Sequence, residues 1–247
     1  MLNKNQSNHR CPCRVVDAQR ITPHMQRLTF HGAGLRDFPD EHPAQWVKVI
    51  LPGRNGGVQS NRAYTIRRFV RSSGFMEIDF ALHGDGGPLS NWAATAMIGE
   101  EIELAGPRPG HRIDFAVRQY LLIGDPTSLP AISAILEALP FSMDARVFVE
   151  VAGPEEEQAL DSYAKTDICW LHSGLELPGT SGQLELTIQS MAPDLDDCQV
   201  WLAGESFMVR AIRTYLLTDR GLNPSRIDSK GYWKMGAADH RDGSGTT

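Results

Sequence analysis

Near Phe115–Gln119 the hydrophobic pattern changes period, and this constrains the fold more than any other feature of the chain. Before the break, apolar residues alternate with polar ones. Met76, Ile78, Phe80 and Leu82 interleave with Glu77, Asp79 and Ala81, the period of two of a half-buried strand. Trp46–Leu51 runs into Pro52-Gly53, and Arg62–Arg68 and Glu101–Ala105 are further short strands, punctuated by Gly32, Gly34 and Gly74. Many short strands with Gly and Pro turns predict an antiparallel β-barrel. After the break, strands alternate with helices. Tyr120–Ile123 stops at Gly124, Thr127-Ser128 can cap a helix through Leu136, and Arg146–Val151 is the next strand. Ile168–Leu171 is another strand, Leu184 and Ile188 sit four apart on a helix, and Val200–Ala203 ends at Gly204. Met208, Ile212 and Leu216 then line one helix face, closed by Gly221 and Pro224. This alternation predicts an open parallel α/β sheet. The expected organisation is two-domain β + α/β, with a barrel over 12–116, an α/β domain over 117–236 and a disordered tail over 237–247.

Composition narrows the function. The chain has 247 residues, 41% of them hydrophobic and 22% charged, ordinary for a globular protein and wrong for a disordered one. A net charge of −6 argues against nucleic acid as the main partner, which needs a basic surface. No run of about 18 apolar residues predicts a membrane span. The N-terminal stretch MLNKNQSNHR has no apolar run behind its few charges, so a secretory signal is not expected and the protein is placed in the cytoplasm. Cys11 and Cys13 form a C-x-C pair near an end expected to fray, without the further ligands of a zinc site, and read as reduced thiols, as do Cys169 and Cys198. No protein metal ligand is expected.

Four motifs can carry chemistry. In Arg62-Ala63-Tyr64-Thr65, Arg can neutralise a phosphate, Tyr can lie on a planar ring and Thr can bond a ring heteroatom, although such a stretch is also a good edge strand. His83-Gly84-Asp85-Gly86-Gly87-Pro88-Leu89-Ser90 follows the alternating strand and opens a helix. Its free N–H groups and positive dipole end suit a pyrophosphate, with Ser90 either capping the helix or donating to phosphate. Gly124-Asp125-Pro126-Thr127 is a strand-to-helix turn of the kind that meets nucleotides in open sheets, and Gly204-Glu205-Ser206 repeats it at a later strand end. Neither is a G-x-G-x-x-G fingerprint. Gly231-Tyr232-Trp233-Lys234 offers aromatics that either stack on a flat ring or clasp the sheet, and composition favours the clasp.

Taken in order, R-A-Y-T, H-G-x-G-G-P-L-S-N-W-A, A-G-P-R, G-D-P-T-S-L-P-A-I, W-L-A-G-E-S and G-Y-W-K make the chain resemble the siderophore-interacting proteins, flavin-dependent ferric-siderophore reductases related to ferredoxin–NADP⁺ reductases. The resemblance runs from about Arg14 to Gly236. It implies that the barrel binds FAD and that the α/β domain binds NADH or NADPH. Arg62 then meets the pyrophosphate, Tyr64 packs on the isoalloxazine and Thr65 lies near its N5 edge. Gly86, Gly87, Pro88, Leu89 and Ser90 complete the phosphate cradle, and His83 matches the family histidine ahead of it. Asp125, Thr127, Gly204, Glu205 and Ser206 face the nicotinamide nucleotide. Lys48 and Arg108 match basic positions of the substrate pocket, with Lys234 or Lys230 as a third. Electrons then pass from NAD(P)H through FAD to Fe(III), with no side chain acting as acid or base. The implied protein is a monomer serving iron acquisition, with a ferric siderophore as substrate and a ferredoxin as an alternative donor. The other readings are a flavin-dependent reductase of a small redox protein and a siderophore-binding protein without turnover. Three departures from the family pattern stand out. Pro109-Gly110 lengthens the Gly-Pro-Arg motif, Pro126 occupies a commonly acidic position, and Ser173 stands where relatives often carry Arg. The last implies that NADH serves at least as well as NADPH.

Overall fold

Alternation around Met76–Phe80 is that of a strand with one face in a core: Met76, Ile78 and Phe80 are fully buried. Six such strands build the first unit of the computed structural model, which describes residues 9–53, 57–82 and 87–237. They are β1 (Arg10–Thr22), β2 (Met25–His31), β3 (Trp46–Pro52), β4 (Val58–Val70), β5 (Phe75–Ala81) and β6 (Glu101–Arg108). All pairings are antiparallel, and the order β1-β2-β5-β4-β3-β6 closes on itself through β1 and β6. Closure leaves no exposed sheet edge. Val15, Leu28, Phe30, Val47, Val49, Ile78 and Leu104 fill the interior. Helix α1 (Gly87–Thr95) joins β5 to β6 and adds Leu89 and Ala93 to that core.

The strands β1 and β2 were not foreseen. Cys11 and Cys13 lie within β1, paired with Leu104 and Ile102 of β6, rather than at a frayed end. They are 1% and 3% exposed with sulfurs 3.7 Å apart, and burial pushes both thiols above their ordinary range. They behave as core hydrophobes, not as nucleophiles.

The second unit holds Ile113–Ile132 and the described residues from Leu136 on, with Ser133–Ile135 grouped with the first unit. Its elements are β7 (Gln119–Gly124), α2 (Leu129–Ala138), β8 (Asp144–Val151), β9 (Lys165–His172), α3 (Gln183–Met191), β10 (Cys198–Glu205), α4 (Ser206–Thr218) and β11 (Ile227–Trp233). The strands are parallel throughout, in the order β11-β10-β7-β8-β9. Every residue of β10 is buried, as an interior parallel strand requires. The chain moves outward from β7 to β9 and then returns to the other side of β7 with β10. The topological switch point therefore lies between β7 and β10, where ligands bind in open α/β sheets. Met208, Ile212 and Leu216 face the core from α4. No helix among the described residues is long and apolar enough to cross a membrane.

Candidate functional site

Within the barrel, β4 carries the Arg-x-Tyr-Thr motif, and its register sorts the three side chains onto two faces. Tyr64 is opposite Val47 and joins the core side, its ring 4.3 Å from Phe80 and tilted by 46°. Burial pushes the Tyr64 phenol up to about 12, with Arg62 offsetting part of the shift. Arg62 is half-buried and donates from Nη1 to the Asn61 carbonyl at 3.2 Å. Thr65 takes the other face, opposite Trp46, which in turn is opposite Arg108 at the end of β6. Lys48 follows Trp46 by two and so shares that face. The pairing thus brings Thr65, Trp46, Lys48 and Arg108 together on one side of the barrel wall. The Arg108 guanidinium lies 5.8 Å from the Trp46 ring centre, and its buried Nε has no hydrogen-bond partner. The added Pro109 therefore leaves Arg108 on the face of Lys48. Trp46 is the residue sequence reasoning missed; its tie to Arg108 is a register relationship across 62 positions of chain that no local motif encodes.

Next to β4, a groove of about 610 Å3 runs between Pro52 and Gln59 on one side and Pro88, Asn91 and Trp92 of α1 on the other. Gly87 opens α1 with φ +77, and among the described residues a Cβ there would meet nothing within 4 Å. Leu89 is buried, and Ser90 donates to the Ala81 carbonyl at 3.3 Å, tying the helix to the end of β5. His83 and Gly86 lie outside the described residues. A helix start, a guanidinium, an aromatic face and a hydroxyl form a donor set that fits a flavin dinucleotide.

In the second unit, both glycine turns sit at the switch point, but their polar groups are engaged inside the protein. Asp125 is fully buried. Its Oδ1 accepts from the Thr127 N–H and hydroxyl, and its Oδ2 from the Glu205 N–H and the Trp233 Nε1–H, both at 2.8 Å. Burial raises its pKa, and these four donors pull it back in part. Glu205 caps α4: its Oε2 accepts from the Phe207 and Met208 N–H groups, while its Oε1 accepts from the Met235 N–H at 3.2 Å. The Ser206 hydroxyl donates to the Trp233 carbonyl. Ser128 makes no side-chain cap on α2, donating instead to the Asp125 carbonyl. A Cβ at Gly204 would lie 2.5 Å from Asp125 Oδ2, so this glycine makes room for the carboxylate. Glu150, at the end of β8, is also fully buried, with Ser181 and the Gly179 backbone beside its carboxylate.

The remaining expected residues are placed as follows. The Ser173 hydroxyl donates to the Glu176 carbonyl at 2.7 Å, closing a turn after β9. Lys234 lies just past β11, with its Nζ 4.8 Å over the Phe207 ring, while Lys230 is exposed on β11. Among the described residues, no cluster of three His, Cys, Asp or Glu could hold a metal ion.

A closed antiparallel barrel with an Arg-x-Tyr-Thr strand, followed by a parallel α/β sheet, defines a flavoprotein reductase architecture. Residues 117–236 match the siderophore-interacting protein family, and residues 14–61 and 55–111 match the siderophore-interacting FAD-binding domain; the chain belongs to this family. It is 31% identical to a siderophore utilization protein from T. fusca, covering 95% of this chain and 96% of that one, with a TM-score of 0.86. It is 26% identical over 243 residues to the ferric vibriobactin reductase ViuB of Vibrio cholerae, covering 90% of each. It is 28% identical to the ferric acinetobactin reductase of Acinetobacter baumannii, over 91% of this chain and 78% of that protein.

Proposed function

We propose that this chain is a ferric-siderophore reductase that carries electrons from a reduced nicotinamide nucleotide, by way of FAD, to Fe(III) in an anionic chelate. The observation that carries the reading is the shared face of Thr65, Trp46, Lys48 and Arg108, which sets two cations beside the expected flavin-edge hydroxyl. The names of full-length relatives, ferric vibriobactin reductase and ferric acinetobactin reductase, support it.

Bound FAD supplies the conversion of a two-electron hydride donor into one-electron delivery. Arg62 neutralises the dinucleotide's phosphate charge, the start of α1 offers N–H groups to it, and Tyr64 presents an aromatic face held by Phe80. Thr65 offers a hydroxyl at the ring edge. Lys48 and Arg108 attract the chelate against a protein net charge of −6. Reduction weakens the hold of hard oxygen ligands on the iron and so releases it. Asp125 and Glu205 shape the carboxyl edge of the second sheet from within, so nucleotide phosphates take their contacts from neighbouring backbone. Ser173 brings no charge for a 2′-phosphate, so NADH serves at least as well as NADPH. The free thiols accord with a reducing, cytoplasmic setting.

Stopped-flow bleaching of the flavin by NADH and by NADPH, followed by reoxidation with a ferric chelate, tests the reading. Yellow protein, bleaching by NADH at least as fast as by NADPH, and chelate-dependent reoxidation are expected. Bleaching by neither nucleotide, but by a reduced ferredoxin, would move the donor assignment. Colourless protein that takes up no FAD would remove the enzyme reading and leave siderophore binding without turnover.

A further inference from the structure

Lys234 is gripped from both sides. The preceding residue, Trp233, donates its indole N–H to Asp125 Oδ2 at 2.8 Å, and its carbonyl accepts from the Ser206 hydroxyl at 2.9 Å. The following residue, Met235, donates its N–H to Glu205 Oε1 at 3.2 Å. Lys234 itself bridges to Ala237. The main chain on either side of the lysine is thus fixed to the ends of β7 and β10 by two buried carboxylates.

The lysine side chain is guided as well. Its Nζ rests 4.8 Å from the ring centre of Phe207, the second residue of α4. Phe207 is 56% exposed, which leaves a face of its ring open to the ammonium. Glu205, two residues before Phe207, is engaged with three N–H groups. Among the described residues no carboxylate pairs with Lys234. A ring holds an ammonium without neutralising it, so the charge can still act on an anion from outside.

We propose that Phe207 is a positioning residue: it holds the Lys234 ammonium, on a strap anchored by Asp125 through Trp233 and by Glu205 through Met235, ready for the anionic ferric chelate. This rests on the ferric-reductase reading above. A lysine on a four-carbon stem loses much rotational freedom when it binds an anion, and a preset orientation reduces that loss. The same bonds make Asp125, Glu205 and Ser206 supports of the strap.

The test is a double-mutant cycle of Phe207→Leu and Lys234→Ala in the FAD-loaded enzyme. Fe(III)–EDTA is the anionic probe and neutral ferric tris(acetohydroxamate) the control. Phe207→Leu should raise KM for the anionic chelate about two- to fivefold, the size of a cation–π contact at an exposed site, with kcat and flavin bleaching unchanged. KM for the neutral chelate should not move, Phe207→Trp should restore the wild-type value, and Phe207→Leu should add nothing on the Lys234→Ala background. Trp233→Phe, which removes one anchor and keeps the ring, should raise the same KM. If Phe207→Leu is without effect, raises both KM values alike, or raises KM equally in the Lys234→Ala background, the positioning role is overturned while the reductase reading stands. If wild-type enzyme reduces neither chelate, the reductase reading falls and this inference falls with it.

Discussion

The Tyr64 ring lies 4.3 Å from that of Phe80, which meets Trp92 of α1 edge-on at 6.1 Å. The strand that carries Arg62 is therefore locked by aromatic contacts to the helix whose start is proposed to meet the FAD phosphates. With its phenol pushed up to about 12, Tyr64 stays neutral between about pH 6 and pH 9, so it adds no pH dependence to flavin binding there. FAD titrations across that range should show equal affinity for wild type and Tyr64→Phe, while Tyr64→Ala should bind more weakly throughout.

Arg62→Ala removes the guanidinium assigned to the pyrophosphate. A charge-assisted hydrogen bond of this kind contributes about 1.5–3 kcal/mol, so FAD affinity should fall about ten- to a hundredfold. Equilibrium titration of apoprotein with FAD measures it; an unchanged affinity would place the phosphates elsewhere.

Lys48→Ala should raise KM for an anionic ferric chelate and leave the rate of flavin bleaching by NADH unchanged. The wild-type preference for anionic over neutral chelates should also shrink as salt rises, since the screening length is about 10 Å at 0.1 M. A KM that is the same in both proteins at low salt would move the chelate off the face shared by Lys48 and Trp46.

Asp125→Asn should lower stability by about 2–4 kcal/mol in urea unfolding, because one of two oxygens that each accept two bonds becomes an N–H2 facing N–H donors. If Asp125 instead acted only on the nucleotide, stability would hold and KM for NADH would rise.

Glu150→Gln isolates a pH effect. Burial, reinforced by the charges of Glu185 and Asp125, raises the Glu150 pKa above its ordinary value of 4.5, while Ser181 and Gly179 offset part of the shift. Between the ordinary and the raised value the folded state holds a proton that the unfolded state has released. Stability from this group is therefore full below the ordinary value and is lost as pH rises through the raised one. Melting temperatures of Glu150→Gln and wild type should converge near pH 4.5 and separate at neutral pH, with the variant the more stable.

The elements readable from sequence were those whose burial follows one period. β5 shows it in Met76, Ile78 and Phe80, and α4 in Met208, Ile212 and Leu216. β1 was missed because Pro12 and two cysteines disguise its inward row of Cys11, Cys13 and Val15. β11 was missed because, at the sheet edge, it fully buries only Gly231. At the candidate site, Arg62, Tyr64 and Lys48 could be picked out by residue type, but the face on which each stands could not. That depends on strand register, as between Trp46 and Arg108, which arises only when distant strands pair. Asp125 and Glu205 were noticed as turn residues, yet the partners that define them, Trp233 and Met235, come 108 and 30 positions later in the chain.

Two glycines press on the Asp125 carboxylate: Cβ atoms at Gly204 and Gly179 would lie 2.5 Å and 2.9 Å from its Oδ2, and both backbones have positive φ. Any redesign of this corner has to treat it as a single heritable block. A library randomised at 125 alone samples only shapes that these glycines permit, and one randomised at 179 or 204 alone yields mostly clashes. Productive variants at the carboxyl edge of β7 will come from changing all three positions together, or from leaving all three in place and diversifying the exposed loop residues around them.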